Sequence, residues 1–234
     1  MIAAVTPALL VETSVVVDRA GRSTVRREPG RTRAPSFLLV RGAQSCAWAI
    51  NADLPQRLAN ELDALARNEP AGTDWRAPPL HAERYRELLA AEQLACGPTF
   101  TFPDRTHSVD VETSIVEDEQ ALARHFTGWV PGEIAEGRAP VIAIVRDGAP
   151  VSVCFCARRS DVAAEAGVET AASYRGRGLA PQVTAVWARA LREQDRVPLY
   201  STTWSNRGSL AVARKLELSI QASYWNLSRR ETSA

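Results

Sequence analysis

Between Val168 and Ala180 the chain reads Val-Glu-Thr-Ala-Ala-Ser-Tyr-Arg-Gly-Arg-Gly-Leu-Ala, and this stretch limits the possible folds more than any other. Its front closes a strand-like run. Its back opens a helix expected from about Leu179 to Glu193, with Leu179, Val183, Val186, Trp187, Ala190 and Leu191 at the spacing of one buried face. Pro181 falls in the first turn, where a missing N–H costs nothing. Gly176 and Gly178 permit positive φ angles and close backbone approach. The unpaired N–H groups of a helix start, with the positive end of its dipole, make an anion site. Arg175 and Arg177 add charge. The stretch reads as a turn that cradles a pyrophosphate.

The spacing chooses among known cradles. A P-loop requires Gly, four residues, then Gly-Lys-Ser/Thr, and this stretch holds no lysine. A dinucleotide-binding G-x-G-x-x-G turn fails because Pro181 stands three residues after Gly178. What remains is Arg-x-x-Gly-x-Ala (Arg175, Gly178, Ala180), which resembles the acetyl-CoA signature of the GCN5-related N-acetyltransferases, the GNAT family. Downstream, Val197 to Trp204 reads as a strand. The run Trp204-Ser-Asn-Arg-Gly-Ser-Leu-Ala-Val-Ala-Arg-Lys-Leu216 is similar to that family's second cofactor motif, an Asn-led helix. The resemblance spans about residues 139 to 227.

Composition fits a soluble globular protein: 45% apolar, 24% charged, and a net charge of +1 that gives no reason to expect nucleic acid or an anionic membrane as partner. Basic charge is nearly all arginine, with Lys215 the only lysine. Four cysteines in 234 residues do not make a disulfide framework. Cys154 and Cys156 share one face of an alternating run and read as buried strand residues. The scattered His81, His107 and His125 suggest no metal site. Residues 2–11 are apolar but too short to span a bilayer and lack a basic flank. The expected address is the cytoplasm, as a monomer or homodimer.

The fold expected is α/β: a mixed-sheet, GNAT-like acyl-CoA transferase core with an N-terminal α/β addition. Residues 1–34 read as a hairpin arm, with strands at Thr13–Asp18 and Ser23–Arg26. Residues 35–104 read as an α/β region, and whether it is a degenerate second copy of the same fold stays open. It carries strands at Phe37–Val40 and Cys46–Ile50, then helical patterns through Leu58, Leu62 and Leu65 and from Leu80 to Leu94. Residues 105–234 form the transferase domain. That domain starts with a strand at His107–Ile115, a helix from Glu117 to Phe126 and a shorter one from Pro131. The Asp147-Gly148 turn joins two strands, and Ala163–Thr170 feeds the glycine turn. Leu218 to Leu227 is the last strand.

The resemblance implies an N-acetyltransferase moving the acetyl group of acetyl-CoA directly to an amine, on a small molecule or a peptide, in a ternary complex without metal. The pyrophosphate would lie on Arg175, Gly176, Arg177, Gly178, Leu179 and Ala180, the pantetheine arm along Val168, Glu169 and Thr170, and Asn206 and Ser209 would touch that arm. For the base, alternation puts Glu165 and Glu169 on one strand face, and burial would raise a carboxylate there toward neutral pH. Glu165 is the favoured choice; the competing reading makes both glutamates partners of Arg158 or Arg159. A tyrosine that often protonates the leaving thiolate in the family aligns with Ala213, and a family glycine with Glu217. Tyr200 or Tyr224 could take the acid's place. The missing tyrosine also keeps alive a second reading, a non-catalytic acyl-CoA-binding or sensing module.

Overall fold

The computed structural model describes residues 4–104, 112–122 and 124–229. The chain opens with helix α1 (Pro7–Ser14) and a small hairpin, β1 (Val15–Val17) with β2 (Ser23–Arg26). A second hairpin, β3 (Phe37–Gly42) with β4 (Cys46–Ile50), leads to α2 (Gln56–Arg67), α3 (Ala82–Leu89) and β5 (Ala91–Thr101). After the short β6 (Ser114–Ile115) come a 3-10 turn at Glu119–Leu122 and a π turn at Ile134–Arg138. The remainder is β7 (Ile142–Arg146), β8 (Ala149–Arg159), β9 (Ala163–Thr170), α4 (Leu179–Arg192), β10 (Val197–Ser201), α5 (Arg207–Lys215) and β11 (Ser219–Arg229).

All strands from β3 onward lie in one mixed sheet, ordered β4-β3-β11-β5-β10-β9-β8-β7-β6. On one face α4 buries Val183, Trp187, Ala188 and Leu191 against β7, β8 and β9, with Cys154 and Cys156 beneath it. On the same side α2 and α3 set Leu62, Tyr85 and Leu89 against Phe37, Leu39 and Leu227. The other face is covered by α1, whose Leu9, Leu10 and Val11 pack on Leu38, Val40, Ala163 and Leu199. None of the described helices is long and apolar enough to cross a membrane.

Three expectations need revision. Thr13 and Ser14 end a helix; they do not begin a strand. Thr6 caps that helix by accepting from the Leu9 N–H at 3.2 Å, Pro7 occupies its first turn, and the Thr13 and Ser14 hydroxyls donate back to the Leu9 and Leu10 carbonyls at 2.8 Å. The helical pattern from Leu80 stops at Leu89, because Ala90 turns left-handed at φ 42° and Ala91 onward becomes strand. Helix Glu117–Phe126 shrinks to the 3-10 turn Glu119–Leu122. The strand expected at His107–Ile115 lies mostly outside the described residues, and its described end pairs with β7 at Ser114 and Ile115.

β5, from the N-terminal part of the chain, is wedged antiparallel between β10 and β11, so the two parts share one hydrogen-bonded sheet. This insertion needs a residue without a side chain at Gly97, where a Cβ would stand 1.8 Å from the Thr202 carbonyl oxygen. Backbone cannot swing aside as a side-chain tip can. Gly97→Ala is therefore expected to cost about 3 kcal/mol or more, the upper end for an overpacked site. Urea unfolding measures it; a loss under about 0.5 kcal/mol would show that β5 and residue 202 are not in this contact.

Candidate functional site

The site begins where two strands part. β9 and β10 run parallel and pair only at Ala163↔Val197, Ala164↔Pro198 and Glu165↔Leu199. Past that point β9 stays with β8 as far as Thr170, while Tyr200 and Ser201 of β10 pair with Phe100 and Thr99 of β5. The backbone of β9 from Ala166 to Thr170 is thus left without a strand partner on its β10 side, and buried backbone groups need partners. A cavity of about 720 Å³ opens in the gap. Val168, Glu169 and Thr170 form one wall, and Tyr200, Asn206 and Ser209 the opposite one.

The floor is the glycine turn. Gly176 and Gly178 take φ of 76° and 77°, the left-handed region in which side chains are strained. Gly178 is the N-cap of α4, and no side chain bonds into that helix start. Among the described residues, the amide N–H groups of Gly176, Arg177, Gly178, Leu179 and Ala180 meet no protein acceptor. Free amides at the positive end of a 14-residue helix form an anion cradle. The arginine side chains hold the turn's shape: Arg175 Nε donates to the Thr170 carbonyl at 3.1 Å, and Arg177 Nη2 to that of Ser173 at 3.0 Å. Arg177 also stacks over the Tyr174 ring at 5.0 Å and, unlike the other cofactor candidates, does not line the cavity.

The three catalytic candidates separate. Glu169 borders the cavity, and its surroundings hold its carboxyl above the usual range: burial first, opposed by Arg138, with Glu133 adding to the rise. Tyr200 is 2% exposed and shares a 2.6 Å hydrogen bond with the Ser209 hydroxyl. Burial pushes its phenol up to about 12, relieved in part by that bond. Glu165 shares the β9 face of Glu169 but faces a second cavity of about 280 Å³, on the α1 side of the sheet. There Arg158 Nη1 donates to both its carboxylate oxygens, at 3.2 and 3.3 Å. Arg158 is thus the partner Glu165 finds, and Arg159 bonds elsewhere, to the Ala139 carbonyl.

The cavity also has walls not singled out above. Gly208, Ala211, Val212 and Lys215 of α5 line it. Their spacing of three and four residues marks one helix face, a signal present in the sequence. His125 and Phe126 line it as well, with the His125 ring edge-on to Tyr174 at 6.3 Å; no local pattern announces these. Asn206 caps α5 by accepting from the Ser209 N–H at 3.0 Å, and it borders both cavities. Ala213 is buried in the core, so no tyrosine reaches the cavity from there. Glu217, where the family glycine aligns, has φ of 55°, the backbone a glycine would take more easily. Among the described residues, no cluster of three His, Cys, Asp or Glu could hold a metal ion.

Residues 136–226 match the family model of the GNAT acetyltransferases. Among solved structures, a GCN5-related N-acetyltransferase from Sphaerobacter thermophilus is similar over 90% of this chain and 82% of its own, at 13% identity and a TM-score of 0.50. A conserved protein of unknown function from Staphylococcus epidermidis is similar over 95% and 96%, at 9% identity and 0.52. A GCN5-related N-acetyltransferase-like protein from Streptococcus suis covers 83% and 84%, at 18% identity and 0.47. At these identities the likeness concerns the fold. No curated protein matches the chain in sequence.

Proposed function

We propose that this chain, whose residues 136–226 match the GNAT acetyltransferase family model, transfers acetyl from acetyl-CoA directly to an amine. The observation that carries this reading is the parting of β9 and β10 beside a glycine turn whose amides are free, within one cavity. Diphosphate oxygens would accept from the amides of Gly176 to Ala180. The pantetheine amides would complete the unpaired edge of β9 near Val168 and Thr170. The thioester carbonyl then lies near the fork, where a β9 N–H can face the developing oxyanion. The amine nitrogen attacks that carbonyl, the carbon–sulfur bond breaks, and the nitrogen's proton passes to Glu169. The coenzyme thiolate takes a proton from Tyr200 or from water.

Initial rates of thiol release, with acetyl-CoA and an amine varied together, test the order of events. Direct transfer gives intersecting double-reciprocal lines; parallel lines would mean an acetylated enzyme and would overturn the ternary complex. A second reading, a module that binds acyl-CoA without turnover, is favoured by one observation: Ala213 stands where the family's tyrosine is expected. It predicts coenzyme binding with no amine acetylated.

Tyr200 supplies a further prediction. A phenol with a pKa of about 12 keeps its proton throughout the neutral range, so it can donate to a leaving thiolate. Tyr200→Phe should lower kcat about 10-fold, short of the full range for general acids because a thiolate also leaves unassisted. Acetyl-CoA affinity should stay within about twofold. An unchanged kcat would assign the proton to water.

A further inference from the structure

Between α2 and α3, residues 69–81 form neither helix nor strand, yet they are tied down at several points. Glu69 is buried and accepts from the Leu80 and His81 N–H groups, both at 2.9 Å, which closes the segment on itself. The Gly72 N–H donates to the Gly42 carbonyl of β3 at 3.0 Å. Arg41 of β3, also buried, donates to the carbonyls of Asp74 at 3.5 Å, of Pro78 at 3.3 Å, and of Ala77. Those carbonyls flank Arg76, so the backbone that carries it is held to the sheet while residue 76 itself is exposed. Its guanidinium lies over the Trp204 ring, 4.3 Å from the centroid, the shortest cation–π contact among the described residues.

Trp204 is a corner of the turn that joins β10 to α5, a turn closed by the Asn206 N–H donating to the Thr203 carbonyl at 3.1 Å. Its backbone rests on β5: the Thr202 N–H donates to the Pro98 carbonyl at 3.3 Å and the Trp204 N–H to the Cys96 carbonyl at 3.2 Å. Arg76 adds a hold on the side chain. Two residues further on, Asn206 caps α5 and borders both cavities. Residues 69–81 lie outside the stretch 136–226 that matches the family model, so the N-terminal part of this chain supplies the hold. We propose that the segment is a strap and Arg76 a positioning residue: stacked on Trp204, it keeps the β10–α5 turn, and Asn206 with it, in the arrangement that takes the coenzyme. A turn held in its bound shape spares the ordering cost at binding. Only the naming of coenzyme A as the ligand rests on the acetyltransferase reading.

Arg76→Ala, Trp204→Ala and the double variant test this with two readouts. Amide hydrogen exchange on the coenzyme-free protein reads the turn. Arg76→Ala should speed exchange of the Asn206 and Ser209 N–H groups about 2- to 5-fold, the range of one exposed cation–π pair. Unchanged exchange would overturn the strap. Calorimetric titration with coenzyme A reads the site: Arg76→Ala should weaken binding by about the same factor, and should add nothing in the Trp204→Ala background. In thiol-release rates, KM for acetyl-CoA should rise by that factor with kcat unchanged, because a group that touches no reacting atom binds ground and transition states alike. Additive losses in the double variant would mean that the arginine attracts the anionic coenzyme through space, and would overturn the positioning role. Faster exchange in the variant, with no coenzyme A bound by the parent, would sink the acetyltransferase reading and leave the hold on the turn standing.

Discussion

Ala180→Asp is expected to weaken coenzyme A binding by about 100-fold or more without lowering the melting temperature. Residue 180 sits in the first turn of α4, beside amides that have no protein acceptor among the described residues. An aspartate there complements the helix dipole and should stabilise the fold by about 0.3–1 kcal/mol. It also puts a negative charge where the diphosphate must lie. Two unit charges about 4 Å apart repel by about 4 kcal/mol at an effective dielectric of 20, and about 2.7 kcal/mol already corresponds to 100-fold. The two effects have opposite signs, so general damage to the fold cannot imitate the result. Calorimetric titration with coenzyme A beside a thermal melt measures both. Unchanged affinity would remove the anion from this turn.

Glu169→Gln is expected to lower kcat by about 100-fold or more, the range for loss of a positioned base, with coenzyme A binding retained. The pH dependence carries more information than the rate. Burial raises the Glu169 carboxyl above its ordinary 4.5, so activity should fall as pH drops through a value above 4.5, and the Gln variant should lose that limb. The stability effect runs the other way. A raised pKa means the folded state holds a proton that the unfolded chain has released, so stability falls as pH climbs from 4.5 through the folded value. At neutral pH the folded carboxylate is therefore a net burden, and the Gln variant should unfold at higher denaturant than the parent. Equal activity in the variant would hand the base to Glu165 or to water.

The shape of the glycine turn was legible because it is local: Gly176 and Gly178 take the left-handed φ that a missing side chain permits, directly ahead of α4. The α5 motif was legible for the same reason, with Asn206 capping its own helix. What lay hidden was non-local. The apolar spacing of Leu80, Leu88, Leu89 and Leu94 suits a helix throughout, and only the vacancy between β10 and β11 pulls Ala91–Thr101 into a strand. Burial in a sheet outweighs helix propensity there. Alternation put Glu165 and Glu169 on one face, but it does not say that the fork separates the cavities they border. His125 reaches its cavity from a different part of the fold, across about fifty residues of chain from Tyr174.

The most direct measurement is a crystal structure of the protein with acetyl-CoA bound. The account predicts diphosphate oxygens within hydrogen-bond distance, about 3 Å, of amides between Gly176 and Ala180, and the pantetheine arm lying between β9 and β10. Coenzyme seated elsewhere, or a turn that presents carbonyl oxygens to it, would contradict the account at its base.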